Sequence, residues 1–162
     1  FEAFAATRRV HPWQAGYEGV EIDVAPLALE FGGRMPRELV GGAFYRNGPA
    51  RHAMNGVRYR HLFDGDGMVQ KYELGERGVV HRGRFVRTDK YLADTRAGRP
   101  VRPTFGTIPP QAERVGSPDG MNVANTSVLH HGGELLALWE GGSAMRLDPA
   151  SLDTLGRKVW SP

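Results

Sequence analysis

Histidine is the residue type in this sequence with the widest chemical use, because an imidazole can bind a metal ion or move a proton near neutral pH. The sequence has six: His11, His52, His61, His81, His130 and His131. None of them stands in an H-E-x-x-H pattern or another close ligand spacing. His130 and His131 are adjacent, so on a strand their side chains point to opposite faces and cannot share one ion. Surface or hydrogen-bonded histidines are therefore the simplest interpretation.

Two carboxylates lie close together in the stretch His61–Met68, which reads His-Leu-Phe-Asp-Gly-Asp-Gly-Met. A calcium loop is excluded because the EF-hand spacing would place Met68 at a ligand position. Asp-Gly between two apolar runs is instead a strong hairpin signal. We therefore expect a tight turn that joins a strand over 57–63 to a strand over 68–74, with both aspartates capping backbone amides.

Glu140 ends the apolar run 135–139 and is followed by Gly141 and Gly142. A carboxylate at the end of such a run is costly to bury unless it is paired. It is either the solvent-facing end of a strand or a group that orients a metal-bound histidine through a hydrogen bond. The residues alone leave both interpretations open, and they form no Ser-His-Asp arrangement, phosphate loop or Rossmann fingerprint.

The composition limits the class of protein. The 162 residues are 40% hydrophobic and 24% charged, which is ordinary for a globular domain. The absence of cysteine excludes disulfides, thiolate metal sites and cysteine nucleophiles. The net charge is only +3 and the arginines are scattered, so nucleic acid is not expected as a partner. No apolar run is long enough to span a membrane and no signal pattern opens the chain, so we expect a soluble, cytoplasmic protein.

The elements that must position these residues are short, because 22 glycines and 11 prolines predict many turns. Residues 1–39 predict an extended lead-in that wraps over a neighbouring surface. Residues 40–162 predict strands, interrupted by a long irregular loop over 98–120. The breaker residues Asn47-Gly48-Pro49 should end a short strand over 41–46.

Two further elements follow in the first half of the chain. Residues 79–87 alternate in polarity and predict a strand, which a turn over 75–78 precedes. A short surface helix is expected over 88–97, with Thr88 as its N-terminal cap and Gly98 at its end.

The segment 124–160 contains four strand-like runs, over 124–130, 135–140, 144–147 and 157–160. Strands at this spacing, joined by Gly-rich turns, indicate a sandwich, a barrel or a propeller. Four consecutive strands are also what one propeller blade contains. The residues therefore favour an all-β, propeller-compatible fold.

Six short stretches, in this order, resemble the carotenoid cleavage oxygenase family. They are Tyr45–Pro49, His61–Met68, Arg84–Thr88, Asn122–Thr126, Leu136–Glu140 and Leu147–Gly156. The resemblance implies a seven-bladed β-propeller with a non-haem Fe(II) on its axis, bound by four histidines that glutamates help to orient. It also implies that the iron activates O2 to cleave an alkene bond of an apolar carotenoid or apocarotenoid. A lignostilbene-type, stilbene-cleaving activity is one alternative, and a metal-free propeller binding module, with 98–120 as its recognition loop, is another.

Within this resemblance Glu140 matches a glutamate that hydrogen-bonds an iron-ligating histidine. None of the six histidines matches an iron ligand, so the ligands are expected beyond Pro162. The chain is accordingly identified as a single partial domain over 1–162, an N-terminal fragment of about two blades that would not hold Fe(II) alone and whose exposed strand edges favour aggregation. The remaining family positions are structural: Arg46, Asn47, Gly48, Pro49, His61, Asp64, Gly65, Asp66, Gly67, Asn125 and Thr126. O2 and an apolar small molecule are the implied partners, no protein partner is defined, and peripheral membrane contact is left open.

Overall fold

Two four-stranded antiparallel sheets form the framework of the molecule. The computed structural model describes residues 2–160. Its strands are, in chain order, β1 (Val24–Leu29), β2 (Ala43–Arg51), β3 (Ala53–Met54), β4 (Val57–Arg58), β5 (Asp66–Leu74), β6 (Val79–Phe85), β7 (Ser127–His131), β8 (Glu134–Leu138), β9 (Met145–Leu147) and β10 (Thr154–Arg157). The first sheet has the order β1-β6-β5-β2 and the second β10-β9-β8-β7, while β3 and β4 form a separate ribbon.

Helices are few in the part of the chain that the structure describes. The two α-helices are α1 (Glu2–Val10) and α2 (Asp89–Ala97). Short 3-10 turns occur at Pro12–Tyr17, Arg37–Leu39, Leu62–Asp64 and Pro118–Met121. The all-β class predicted from the sequence is therefore confirmed.

The second sheet is a meander in which each strand pairs with the next one along the chain. Leu136 of β8 lies opposite Leu129 of β7 on one side and Arg146 of β9 on the other. This is the four-strand blade that the sequence predicts over 124–160. The last strand begins at Thr154, three residues before the expected 157, because it pairs with β9 from Thr154 onward.

The main core lies between the two sheets. It contains eight fully buried residues, Val69, Val86, Ala124, Leu135, Ala137, Met145, Leu147 and Leu152. Burying one large aliphatic side chain contributes about 1.5–3 kcal/mol, so this layer is the principal attraction between the sheets. The backbones of two segments are also in direct contact here, because the Gly67 amide donates a hydrogen bond to the Val123 carbonyl at 2.8 Å. A Cβ on Gly67 would lie 2.1 Å from the Ala124 carbonyl oxygen, so only glycine fits.

The hairpin expected around Asp64–Gly67 is wrong. Strand β5 pairs with β2 and β6, and not with residues 57–63. Instead Leu62–Asp64 is a 3-10 turn, capped by His61 and Asp64, and Asp66 is already the first residue of β5. The apolar run before the turn was misleading because its short strand β4 pairs with β3.

The strand end expected at Asn47-Gly48-Pro49 is also wrong. Strand β2 continues through these residues to Arg51, with a register shift after Pro49. Because β2 has a neighbour on one side only within its sheet, the missing amide hydrogen of Pro49 costs no ladder bond there.

The extended lead-in expected over 1–39 contains regular structure instead. Residues 2–10 form α1, and β1 pairs with β6 as a full member of the first sheet. The sequence signal was weak because four of the six β1 residues are exposed, so no alternation marks the strand.

Helix α2 has the bounds and caps that the sequence predicts. The Thr88 hydroxyl accepts a hydrogen bond from the Tyr91 amide, and Gly98 adopts a left-handed conformation at φ 65°. The helix lies at the surface, with five of its nine residues exposed, but Lys90, Tyr91 and Asp94 on its inner side are buried. After the helix, 98–120 is irregular up to the Pro118–Met121 turn, as expected.

Candidate functional site

Asp64 is fully buried and holds the long irregular loop against the 3-10 turn. Its carboxylate accepts hydrogen bonds from the Gly106 amide at 2.8 Å and the Thr107 hydroxyl at 2.6 Å. It also accepts one from the amide of His61 at 3.2 Å. With these donors supplied by the chain itself, Asp64 acts as an internal anchor of the loop.

Asp66 lies at the centre of a second buried network that joins β2, β5 and α2. Its carboxylate contacts the Arg51 guanidinium at 2.7 Å and the Lys90 ammonium at 2.9 Å. Lys90 also reaches Asp94 at 3.0 Å and the Tyr59 hydroxyl at 2.6 Å. Burial alone would lower the pKa of Lys90, but the surrounding Asp66, Tyr59 and Asp94 raise it overall. Two cations and two carboxylates thus balance one another away from water.

Two asparagines of the family stretches bind the backbone between the sheets. Asn47 donates to the carbonyls of Ala124 and Ser127, both at 2.9 Å. Asn125 donates to the carbonyls of Phe63 at 2.9 Å and Gly65 at 2.8 Å. These contacts join the start of the second sheet to the 3-10 turn and to β2.

The other family residues have simpler positions. Arg46 is exposed on β2. Gly48 and Pro49 lie opposite Met68 and Gly67 in the β2–β5 ladder. The His61 ring accepts a hydrogen bond from the Phe63 amide at 3.1 Å.

Glu140 differs from these carboxylates because it is exposed. It lies two residues beyond the end of β8, where the chain has left the sheet, so burial of this side chain is not observed. Its Oε2 atom accepts a hydrogen bond from the Thr126 hydroxyl at 2.7 Å. The remaining lone pairs of the carboxylate can accept a hydrogen bond from a group outside the described residues.

The six histidines are dispersed. His130 stacks on Tyr45 with ring centroids 6.5 Å apart, and His81 stacks on Tyr72 at 4.7 Å. His52 is buried, and burial together with the nearby Arg58 lowers its pKa. Among residues 2–160, no group of three or more histidines and carboxylates is placed to hold a metal ion. The described residues therefore do not fit an iron ion by themselves.

Sequence reasoning included Thr126, which binds Glu140, and Asn122 among the family stretches, but it missed Asp119. Asp119 and Asn122 both bind Ser143, which lies in the turn directly after Glu140. The only local signal was the Pro118-Asp119-Gly120 turn, and nothing in it indicates a contact 24 residues away. No helix within residues 2–160 is long and apolar enough to cross a membrane.

Two neighbouring four-stranded blades, joined through a common core, define this molecule as a protein of the β-propeller class. The model of the Retinal pigment epithelial membrane protein family (RPE65) matches residues 18–161. The chain belongs to this family, which includes the carotenoid cleavage oxygenases, and the resemblance noted in the sequence is confirmed.

Characterised relatives match across most of the chain. It is 36% identical over 148 residues to apocarotenoid-15,15'-oxygenase of Synechocystis sp., covering 89% of this chain and 30% of that enzyme. It is 32% identical over 139 residues to lignostilbene-alpha,beta-dioxygenase isozyme III of Sphingomonas paucimobilis, covering 85% of this chain and 27% of the relative. The chain thus spans about 30% of the length of these proteins.

Solved structures agree with these matches. A threonine-to-alanine variant of the Synechocystis enzyme superimposes with a TM-score of 0.74 at 33% identity, over 90% of this chain and 31% of the other. Other matching structures of that enzyme carry a replaced glutamate, a replaced tryptophan or a substituted cobalt.

Proposed function

We propose that this chain forms part of an Fe(II)-dependent dioxygenase that cleaves an alkene bond of a carotenoid or apocarotenoid, and that Glu140 is its contribution to the iron centre. The observation that carries the proposal is the geometry of Glu140 within this family. Its carboxylate is fixed by Thr126 on one side and open on the other.

The role proposed for Glu140 is to accept a hydrogen bond from the N–H of an iron-ligating histidine. Such a bond selects the tautomer of the imidazole and fixes the direction of its ligating nitrogen. Thr126 supports this role because its hydroxyl uses one carboxylate oxygen and restrains the side-chain rotation of Glu140. The adjacent tryptophan and glutamate replaced in the Synechocystis variants are the residue types of Trp139 and Glu140.

Iron, when bound, would supply the activation of O2. The residues of this chain fix the position of Glu140. The buried networks of Asp64 and Asp66 fix the first blade, and the shared core fixes the second blade against it. Glu140 then projects from the end of β8 at a defined place relative to both blades.

The test is to express the complete reading frame that contains this chain and to incubate the purified protein with an apocarotenoid under isotopically labelled O2. Dioxygenase cleavage breaks one C=C bond and places one atom of O2 on each carbon, so two labelled carbonyl products are expected. Cleavage of a stilbene and not of the apocarotenoid would establish the lignostilbene-type alternative. A metal-loaded protein that cleaves neither substrate would overturn the proposal.

A metal-free binding module is the alternative from a different class, and the loop 98–120 is its best support. Asp64 anchors the loop through Gly106 and Thr107, yet Phe105 and Ile108 beside them are 77% and 79% exposed. Metal analysis of the purified full-length protein discriminates the two proposals, because the binding module requires no iron.

Peripheral membrane contact is supported by exposed apolar side chains in and beside the loop 98–120. Phe63 and Phe105 both pack edge-on against the His61 ring and are exposed. Flotation with anionic and neutral lipid vesicles tests this contact. Replacing Phe105 by serine should reduce binding to both kinds of vesicle. A cytoplasmic location stays a prediction from the sequence.

A further inference from the structure

The turn that follows Glu140 is held by two residues of the segment 119–122, which lies earlier in the chain. The carboxylate of Asp119 accepts hydrogen bonds from the Ser143 amide at 2.7 Å and the Ser143 hydroxyl at 2.9 Å. The Asn122 amide group donates to the Ser143 carbonyl at 2.8 Å. Each hydrogen-bonding group of Ser143 is therefore bound, and its position is fixed in three directions.

The two glycines between Glu140 and Ser143 are closely fitted to their surroundings. A Cβ on Gly141 would lie 2.7 Å from the ring of Trp139, and a Cβ on Gly142 would lie 2.6 Å from Asp119 Oδ1. Neither glycine has space for a side chain without displacing one of these groups. The chain from Glu140 to Ser143 is thus confined between the Trp139 ring and the Asp119 carboxylate.

Asn122 also restrains Ala124, two residues before the Thr126 that binds Glu140. Its side-chain oxygen accepts a hydrogen bond from the Ala124 amide at 2.9 Å. Ala124 adopts a positive φ of 45°, a conformation that needs such support. Two residues later the Thr126 amide donates to the Leu138 carbonyl at 3.0 Å. Asn122 thus restrains the backbone that leads to Thr126, while Asp119 holds Ser143, three residues after Glu140.

We propose that Asp119 is a positioning residue for Glu140, acting through Ser143 and the Gly141-Gly142 turn. The inference rests on the proposed function of Glu140 and extends it by one residue that no sequence signal identified. A carboxylate that orients a metal ligand must be held to within about 0.5 Å, and an exposed turn with two glycines does not hold it alone. Asp119 supplies that restraint from a neighbouring segment.

The charge of Asp119 suits it to this role. Partial burial alone would raise the pKa of Asp119, but hydrogen bonds from Ser143, Arg157 and Asn122 lower it overall. The carboxylate thus remains ionised near neutral pH. Hydrogen bonds to a charged acceptor are stronger than those to a neutral one, so the anchor is a firm one.

The test compares Asp119→Ala and Asp119→Asn by NMR on the isotope-labelled full-length protein that contains this chain, without iron or substrate. The alanine variant should accelerate hydrogen exchange of the Ser143 amide by about tenfold or more. It should also shift the side-chain carboxyl resonance of Glu140, assigned from the spectrum of Glu140→Gln. The asparagine variant retains an acceptor for the Ser143 amide and should restore both signals in large part.

Asp148→Ala is the matched control, because Asp148 likewise accepts hydrogen bonds from two turn amides, Ala150 and Ser151. It should leave the Ser143 and Glu140 signals unchanged. If the Asp119→Ala chain does not fold, Ser143→Ala removes only the hydroxyl contact and should shift the Glu140 resonance to a smaller extent. An unchanged Glu140 resonance in whichever of these two variants is folded would overturn the inference.

The result is independent of the proposed enzymatic function. The NMR signals report the geometry of Glu140 whether or not the full protein cleaves an alkene. If Asp119 moves Glu140 but Glu140→Gln leaves the cleavage rate of the full-length protein unchanged, the proposed function of Glu140 fails and the structural coupling stands.

Discussion

The carboxylates of the two blades differ in how many of their hydrogen bonds are used within the chain. In the first blade Asp64 and Asp66 are buried and bound by several donors of the protein itself. At the edge of the second blade Glu140 is exposed and accepts a hydrogen bond from Thr126. A carboxylate whose lone pairs are occupied internally stabilises the fold, whereas one with lone pairs to spare can act on a further group.

The carboxylates that stand out most in the sequence are therefore not the one for which we propose a role at the functional site. Asp-Gly-Asp-Gly is the most conspicuous stretch of the chain, and its two aspartates are anchors of the fold. Glu140 is inconspicuous, yet its exposed carboxylate has lone pairs left for the ligand-orienting bond that we propose. Four predictions test the distinction.

Replacing Asp66 by alanine should have the largest effect on stability. It leaves the Arg51 and Lys90 cations buried with too little negative charge, which costs about 3–5 kcal/mol. The free energy of unfolding from urea titration measures the loss. Asp153→Ala is the control, since that exposed partner of Arg84 should cost less than about 1 kcal/mol. Equal losses of unfolding free energy in both variants would show that Asp66 contributes no more to stability than an exposed carboxylate does.

Replacing Asp64 by alanine should destabilise the chain by about 2 kcal/mol, because the buried Thr107 hydroxyl and the Gly106 amide lose their acceptor. Hydrogen exchange of the Gly106 amide should accelerate in the same variant. Thr107→Val removes one of the three donors to Asp64 and should cost less. An unchanged exchange rate at Gly106 would show that the loop is held by other contacts.

The Asp119→Asn variant should show a smaller, pH-dependent effect. The pKa of Asp119 is lowered in the folded chain from its ordinary value of 3.8, so the unfolded chain binds a proton first as the pH falls. The stability that Asp119 contributes is therefore complete above this value and is lost as the pH falls through the lowered pKa. The difference in unfolding free energy between wild type and variant should therefore be constant near neutral pH and shrink only as the pH falls below 3.8 toward the lowered pKa. A difference that grows toward acid pH would contradict the assignment.

Replacing Glu140 by glutamine should have the smallest effect on stability, within about 0.5 kcal/mol, because the side chain is exposed. Cleavage by the full-length protein should nevertheless fall strongly, since an amide is a weaker acceptor for an imidazole N–H. Glu134→Gln is the matched control, because Glu134 lies on the same strand β8 and pairs with Arg146 of β9 and with Lys158. A large loss of stability together with unchanged activity would show that Glu140, like Asp64 and Asp66, stabilises the fold and does not act on a further group.

The second blade was predictable because its information is local. Consecutive strands pair with each other, so hydrophobic runs and Gly-rich turns between 124 and 160 suffice to place them. The same holds for α2, whose caps Thr88 and Gly98 adjoin the helix. Capping is decided by neighbouring residues, which a sequence displays directly.

The first blade was less predictable because its pairing is not local. Strand β5 takes β2 as a partner across the β3–β4 ribbon, and β6 takes β1 from far earlier in the chain. Breaker residues such as Pro49 end a strand only if their backbone groups are needed for pairing. Position at the edge of the sheet removed that need, and no local pattern reports it.

The candidate site divides in the same way. The sequence alone determined the strand that leads to Glu140, the two glycines behind it and, through six ordered stretches, the family. Only the tertiary structure decided that Glu140 is exposed, that Thr126 binds it and that Asp119 holds the turn beside it. The physical reason is that strand pattern and turn chemistry act between neighbours, whereas exposure and hydrogen-bond partners depend on which distant segments the packed sheets bring together.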